Sequence, residues 1–474
     1  MSEVRDQRQG GDLMSASMTQ TKTPEGRHSG PPKSGLEKPA SVTHETELGR
    51  LPADWRVVPL REAYSFTKKP RGLIIPLDGT IPFLPMDAIP IGRVSVSAFE
   101  ERPSSRLTSG TYIENGDLLV AKITPSFENG KQAIVKWDRP FGFATTEVIP
   151  IQEIEGISDK HYLFHILLHP EIRADLAGKM DGTTGRQRLS KEVLGAKQIP
   201  LPPLPEQRKI ATVLGLVQRA MEQQERLIAL TTELKKALLH QLFTQGLRGE
   251  PQKQTEIGPV PKSWEERPLE KAGEVVYGIQ AAVASNLKPI GMMILTNKNI
   301  TLGGKIVLEK INYFVLKTKR HRETVLKKGD LLFNWRSGSK EHVGKTAYFD
   351  LAGEFVHSSF ILRIRPSDEV TGRYLFYYLN FLRESGFFLK KQTFSVNAKF
   401  NKSAINELPT YLPGEEERQE IVDALDAVWR KLDALLAKKR LLEDLFRILL
   451  HQLMTAQIRV HDIDVPAHAP FYST

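Results

Sequence analysis

Leu238-Leu239-His240-Gln241-Leu242 returns as Leu449-Leu450-His451-Gln452-Leu453, 211 positions later. Each copy closes a long apolar-periodic segment. The first segment opens at Glu206-Gln207-Arg208-Lys209-Ile210 and the second at Glu417-Arg418-Gln419-Glu420-Ile421. A period of roughly 210 residues is too long for a solenoid repeat and fits a whole domain plus a connector. The chain therefore reads as one module written twice, and its function is expected to need two of something.

In the second copy Ile421, Leu425, Val428, Leu432, Leu435, Leu442, Phe446, Leu449 and Leu453 step by fours and threes, with Lys439 at a polar seam position. That heptad pattern predicts a coiled coil. The first copy reads Ile210, Leu214, Val217, Met221, Gln224 and Ile228, then shifts phase to Leu230, Leu234, Leu238 and Leu242. Both follow a proline cluster (Pro200, Pro202, Pro203 and Pro205; Pro409 and Pro413) and open on glutamates, which suit a helix N-terminus. About 40 helical residues make a rod of roughly 60 Å, and two such rods in one chain can pair. The plainer alternative, a helix lying on its own domain core, fits less well with a narrow seam flanked by Lys235-Lys236 and Lys438-Lys439-Arg440.

At 474 residues the chain has room for two or more domains, and 40% hydrophobic content supplies their cores. The absence of cysteine excludes disulfides and cysteine-ligated zinc. No apolar run reaches membrane-span length and no signal-peptide core is present, so a cytoplasmic place and no membrane partner are expected. The net charge of +10 favours a polyanionic partner. Residues 1–45 are rich in Gly, Ser, Thr, Pro and Lys and are expected to be a disordered tail.

The two modules share a frame. Leu48-Gly49-Arg50-Leu51-Pro52-Ala53-Asp54-Trp55 answers Ile257-Gly258-Pro259-Val260-Pro261-Lys262-Ser263-Trp264, and Pro59-Leu60 answers Pro268-Leu269. Asn115-Gly116-Asp117-Leu118-Leu119 answers Lys328-Gly329-Asp330-Leu331-Leu332, a tight turn entering a strand. Tyr162-Leu163-Phe164 answers Tyr374-Leu375-Phe376, each opening a short helix-like segment. The residues between these landmarks diverge, which suggests two binders of related but unlike targets. Short β-prone runs such as Leu118–Ala121 and Phe360–Ile364, separated by Gly, Pro and Asn, predict mixed α/β or α+β domains.

Ile199-Pro200-Leu201-Pro202-Pro203-Leu204-Pro205-Glu206-Gln207, after Gly182-Thr183-Thr184 and before a long helix, resembles the domain-to-helix junction of type I restriction–modification specificity subunits. Gly329-Asp330-Leu331-Leu332-Phe333-Asn334-Trp335-Arg336-Ser337-Gly338-Ser339 and Val343-Gly344-Lys345-Thr346-Ala347 resemble the same family. The second junction, Leu408-Pro409-Thr410-Tyr411-Leu412-Pro413-Gly414, keeps only part of the proline pattern.

The resemblance implies an α+β chain in which two duplicated recognition domains are separated by two long helices forming an antiparallel coiled coil. It divides the chain into a tail (1–45), a first recognition domain (46–199), a central helix (200–249), a second recognition domain (250–408), a distal helix (409–460) and a C-terminal tail (461–474). It further implies that each domain reads half of a split double-stranded DNA site. The helices would set the gap and dock two modification subunits, which restriction subunits join. S-adenosylmethionine, ATP and Mg would belong to those partners, and this chain would bind no cofactor and catalyse nothing.

DNA reading needs base-edge contacts for specificity and phosphate contacts for register. In the second module Asn334, Arg336, Ser337, Ser339 and Lys340 form a polar loop after a strand, and Asn397 and Lys399 precede the helix junction. In the first, Arg186, Gln187 and Arg188 form a Gly-flexible polar loop, with Lys122, Thr124 and Arg71 as further candidates. Lys317, Lys319, Arg320 and Arg322 make a basic run suited to phosphate. For each, the plain alternative is a solvated surface.

Gly338 to Gly344-Lys345-Thr346 is one residue too long for a phosphate loop and precedes a strand-like run. No Gly-rich cofactor loop and no Asn/Asp-Pro-Pro-Tyr run occurs. The competing readings are a coiled-coil scaffold whose two β-rich domains bind protein, and a lone enzyme.

Overall fold

A computed structural model describes residues 43–46, 49–75, 79–107, 109–183, 185–279, 287–288, 290–393, 400–460 and 463. The two apolar-periodic segments form helices Leu204–Gln245, the central helix, and Glu415–Met454, the distal helix. They run antiparallel. Glu206 at the start of the central helix meets Arg459 beyond the end of the distal one (2.7 Å), and Lys439 reaches Glu225 at 2.8 Å near the middle. At the other end Glu417 accepts from the Leu247 amide (2.8 Å). Gln224 sits buried in the seam and donates to the Leu435 carbonyl at 2.7 Å. Those two residues are 211 apart, so the contact marks the local two-fold axis that the duplication creates.

The distal seam is as the sequence predicts. The central seam is not. Leu230 and Leu234 are 61% and 56% exposed, and the inward positions after Ile228 go to Thr231, Thr232 and Lys235. Lys235 is buried and places its ammonium over the Trp429 ring, 4.5 Å from the centroid, and 3.0 Å from Glu384. A lysine that buries its methylenes and pairs its charge fills a seam position at little cost, so no phase shift is needed and the leucines face outward. The strand Gln198–Leu201 also takes residues 200 and 201, which were expected within the helical segment.

Each module is built on the same plan. In the first, a five-stranded sheet has the order Tyr64–Phe66, Val148–Glu153, Leu118–Ala121, Gln132–Val135, Ser95–Val96. In the second, the corresponding sheet is Gly273–Tyr277, Ile361–Pro366, Leu331–Asn334, Thr346–Tyr348. A four-stranded sheet accompanies each, and both contain one parallel pair. The Gly-Asp turns behave as expected. Gly116 and Gly329 have φ of +91° and +94°, where glycine is favoured. The following aspartates accept the Glu114 and Lys327 amides at 2.8 and 2.7 Å.

Tyr162 lies in the helix Lys160–Ile166 and Tyr374 in the helix Glu369–Glu384, capped by Asp159 and Asp368. The first helix is short because Pro170 forces a break and starts a new helix, Pro170–Gly178; the second runs unbroken for 16 residues. Tyr162 and Tyr374 donate their hydroxyls to the carbonyls of Pro200 and Tyr411, in equivalent junction strands. The junction strand Pro409–Leu412 pairs with Glu265–Pro268 as Gln198–Leu201 pairs with Arg56–Pro59, so loss of prolines leaves its geometry intact.

Thr43–Thr46 pairs with Gly49–Pro52, so the last residues of the expected tail are strand; residues 1–42 lie outside the described residues. The hairpin Gln252–Thr255 with Gly258–Pro261 opens the second module in the same way.

The shared tryptophans lock the modules to the helices. Trp55 Nε1 donates to Glu206 (3.0 Å) and Trp264 Nε1 to Glu417 (3.2 Å). Arg459 completes the first clasp on Glu206 and Asp54, and Arg248 closes the second on Glu420. Gly246, at φ +65°, leaves the central helix where an added Cβ would stand 2.8 Å from Glu417 Oε1. Gly246→Ala is expected to strain this turn and loosen the second clasp, lowering the thermal unfolding midpoint by several degrees for a cost of about 1–2 kcal/mol.

Candidate nucleic-acid interface

In the first module the registers Ile151 to Phe66 and Val148 to Ala121 send three loops off one end of the large sheet: after Phe66, after Ala121 and before Val148. The hairpin Asp181–Thr183 with Arg186–Arg188 joins them there. The Thr124 amide donates to the Gln187 carbonyl (3.0 Å) and the Leu189 amide to the Lys122 carbonyl (2.7 Å). Gly182 is required in this hairpin, because its φ is +137° and a Cβ would lie 2.5 Å from the Arg186 carbonyl. Arg71, Lys122, Arg186 and Arg188 are thus brought to one sheet end, joined by exposed Lys68 and by Lys69, whose ammonium lies over the Phe143 ring.

These residues are not equivalent. Arg186 and Arg71 are exposed and carry no hydrogen bond or ion pair among the described residues. Arg188 instead forks onto Glu147 at 2.8 and 2.9 Å, and that hydrogen-bonded guanidinium holds the Glu147 carboxyl below its usual range. A base contact by Arg188 would have to break this pair. Thr124 is half-buried and donates its hydroxyl to the Gln187 carbonyl, which makes it a fastener of the hairpin. Gln187 is half-buried, and its backbone carbonyl receives Thr124.

The second module repeats the arrangement. Loops after Tyr277, after Asn334 and before Ile361 leave the same sheet end. Arg336 is exposed and sits over the ring of Phe360, itself 40% exposed. Trp335 beside it donates Nε1 to the Ser359 carbonyl at 2.7 Å and packs against Tyr277. Asn334 corrects the sequence expectation: it is fully buried and donates to the His342 carbonyl at 2.6 Å, closing the loop rather than facing a ligand. Both faces of its strand are packed, Leu332 in one apolar cluster and Phe333 in another, so the strand's last residue is enclosed on whichever face it falls. Ser337 accepts the Ser339 amide at 3.3 Å, and Ser339 is exposed. Lys340 is exposed and lines a groove shared with Lys236 and Leu239 of the central helix.

Asn397 and Lys399 lie outside the described residues. Phe400, which follows them, donates its amide to the Trp335 carbonyl. Lys317, Lys319, Arg320 and Arg322 are all exposed on and beside a helical turn, Lys319–Arg322, capped by Thr318. Lys345, from the phosphate-loop look-alike, is buried and donates to the Asn297 and Ile300 carbonyls at 2.6 Å. Burial lowers its pKa, so it is a structural lysine.

Sequence reasoning missed Phe360, whose exposure depends on the fold, and the outward leucines of the helices. Leu441, Leu445 and Ile448 are 69%, 43% and 53% exposed on the distal helix. Leu230 and Leu234, one repeat earlier, hold the same two positions on the central helix. These apolar residues recur along the outside of the helix pair at the repeat offset. The repeat offset itself was the signal that could have found them. Among the described residues no helix is long and apolar enough to cross a membrane, and no cluster of three or more His, Asp or Glu could hold a metal.

Two like modules clasped to the ends of one antiparallel helix pair, each presenting basic and aromatic loops, define a class of bipartite recognition proteins. The chain belongs to the type I restriction–modification DNA specificity family, whose profile matches residues 105–232 and 261–443, across both copies. It is similar to the type I restriction enzyme MjaVIII specificity subunit of Methanocaldococcus jannaschii, at 22% identity over 88% of this chain and 95% of that one. It also resembles the EcoAI specificity subunit of Escherichia coli, at 33% identity over 27% of this chain and 22% of that one.

Among solved structures, the type I restriction–modification S subunit of M. genitalium aligns with a TM-score of 0.53 at 14% identity, over 84% of this chain and 96% of that one. A chain from a structure of type I restriction–modification complex assembly and conformational transition aligns at 0.52 and 20%, over 86% and 99%. These likenesses show the fold, and the family match shows a type I specificity subunit.

Proposed function

We propose that each module reads one half of a split double-stranded DNA site and that the helix pair sets the unread gap. One observation carries this reading: the two modules present different side chains from the same end of the same sheet, at the two ends of one rod. Arg186 and Arg336, exposed at those ends, are the strongest candidates for guanine contacts, with Arg71, Lys122, Lys317, Lys319, Arg320 and Arg322 on phosphates. Asn397 and Lys399 stay candidates from the sequence alone.

The chain works without catalysis or a cofactor of its own. The duplicated stripes, Leu230 with Leu234 and Leu441 with Leu445 and Ile448, dock two modification subunits, one on each helix. Those subunits use S-adenosylmethionine, and restriction subunits joining them use ATP and Mg.

Selection of bound duplexes from a random pool, by the chain with its modification subunits, tests the reading. Two defined half-sites should emerge. Arg186→Ala should relax only the first and Arg336→Ala only the second, each costing about 1–3 kcal/mol. Relaxation of both halves by either variant, or methyl transfer by the chain alone, would contradict the proposal. For docking, Leu441→Ser with Leu445→Ser should reduce the bound modification subunits from two to one in a mass measurement. Adding Leu230→Ser and Leu234→Ser should remove both.

A further inference from the structure

A histidine pair sets one end of the rod apart from the other. His169, between the helices Lys160–Ile166 and Pro170–Gly178, meets His451 in the last turn of the distal helix. Their Nε2 and Nδ1 atoms are 3.3 Å apart, with ring planes 24° apart. One repeat away, His240 of the central helix meets the ring of Phe381, 6.3 Å between centroids. The first module is therefore held through two titratable rings, and the second through one titratable ring and a phenyl.

We propose that the His169–His451 pair is a proton-sensitive latch that holds the first module on the distal helix and has no counterpart at the second. The contact needs a proton on one facing nitrogen and a lone pair on the other. The Gln457 NH2 donates to the bare Nε2 of His451 (3.2 Å), whose own proton is then on Nδ1 and points at the bare Nε2 of His169. Neutral His169 then carries its own proton on Nδ1, a buried nitrogen with no hydrogen-bond partner among the described residues. A proton added at His169 Nε2 sets N–H against N–H. His169 also precedes the positive N-terminus of Pro170–Gly178.

The charged groups around His169 act in both directions. Burial lowers its pKa, Glu171 on its own helix opposes that, and His451 adds to it. Arg447 of the distal helix lines the same cleft, with its charge paired to Asp444 at 3.1 Å. Arg173, one turn along, is committed to the Phe127 and Leu167 carbonyls. Buried His165 nearby is pushed down to about 3 and stays neutral throughout.

The sign follows from the depressed value. The latched state takes up its proton later than the opened one, so the latch is complete above the ordinary histidine value of 6.5 and is lost as pH falls below it. The inference does not depend on what the modules bind.

The chain lacks cysteine, so spin labels can be placed freely in the full-length protein. Glu155→Cys with Arg440→Cys spans the first module and the distal helix, and Glu354→Cys with Arg226→Cys spans the second module and the central helix. Between about pH 7.5 and about pH 5.5, the first pair should gain a longer distance and the second should not. His169→Phe, which copies the other end, should keep the higher-pH distance and abolish the response. His451→Gln, whose amide can donate to neutral His169 and accept from protonated His169, should do the same. An unchanged first distance in the wild-type sequence, or a response surviving in both variants, would overturn the proposal.

Discussion

Removing seven residues from each long helix, in facing positions between the clasps, is expected to shorten the unread gap of the DNA site by about three base pairs. Seven residues span about 10 Å of helix, and a base pair rises about 3.4 Å. A heptad keeps the seam in phase, so Gln224 and Leu435 can be spared and the apolar positions still face inward. Both helices must be cut, because each module is clasped to the start of one helix and the end of the other. The check is the gap between methylated half-sites in DNA modified by the shortened complex. Shortening only one helix should instead break a clasp and abolish recognition of the paired halves.

The second large effect is on stability. Glu206→Ala is expected to cost about 3–5 kcal/mol, the range for removing one partner of a buried charge pair. Glu206 is 8% exposed and accepts from Trp55 Nε1 as well as from Arg459 at 2.7 and 2.9 Å. Without it a buried indole N–H loses its acceptor and a partly buried guanidinium is left with Asp54 alone. Glu206→Gln should recover part of the loss, since its amide oxygen still accepts from Trp55. Thermal unfolding of the full chain, followed by hydrogen exchange on the first module, reads both. The second module should keep its protection in either variant, because its clasp rests on Glu417.

Much of this architecture is written locally. The seam residues from Ile421 to Leu453, the proline-led helix starts and the Gly-Asp turns each follow from short-range pattern, and they form as that pattern requires. The repeat of Trp55 in Trp264 marked a buried aromatic, but nothing local pairs it with a glutamate about 150 residues on. That pairing exists because the fold returns the helix start to the module's entry, and the clasping arginines 248 and 459 keep the repeat offset of the leucines.

The central seam was misread because two leucines in helical register look like core, whereas Lys235 is buried with its ammonium over Trp429 and paired with Glu384. The recognition loops were legible only as loops. Asn334 and Arg336 are both polar and two positions apart, yet one closes the turn from inside and the other stands in solvent. Asn334 still belongs to a strand packed on both faces and Arg336 lies beyond its end, a boundary set by the fold that composition does not record.

Single-molecule sequencing of host DNA, with and without this gene, tests the central claim most directly. The expected result is a methylated split motif, two defined halves around a fixed undefined gap, that vanishes on deletion and returns when the gene is restored with its modification subunit. Methylation at a single continuous motif, or a split motif unchanged by deletion, would contradict it.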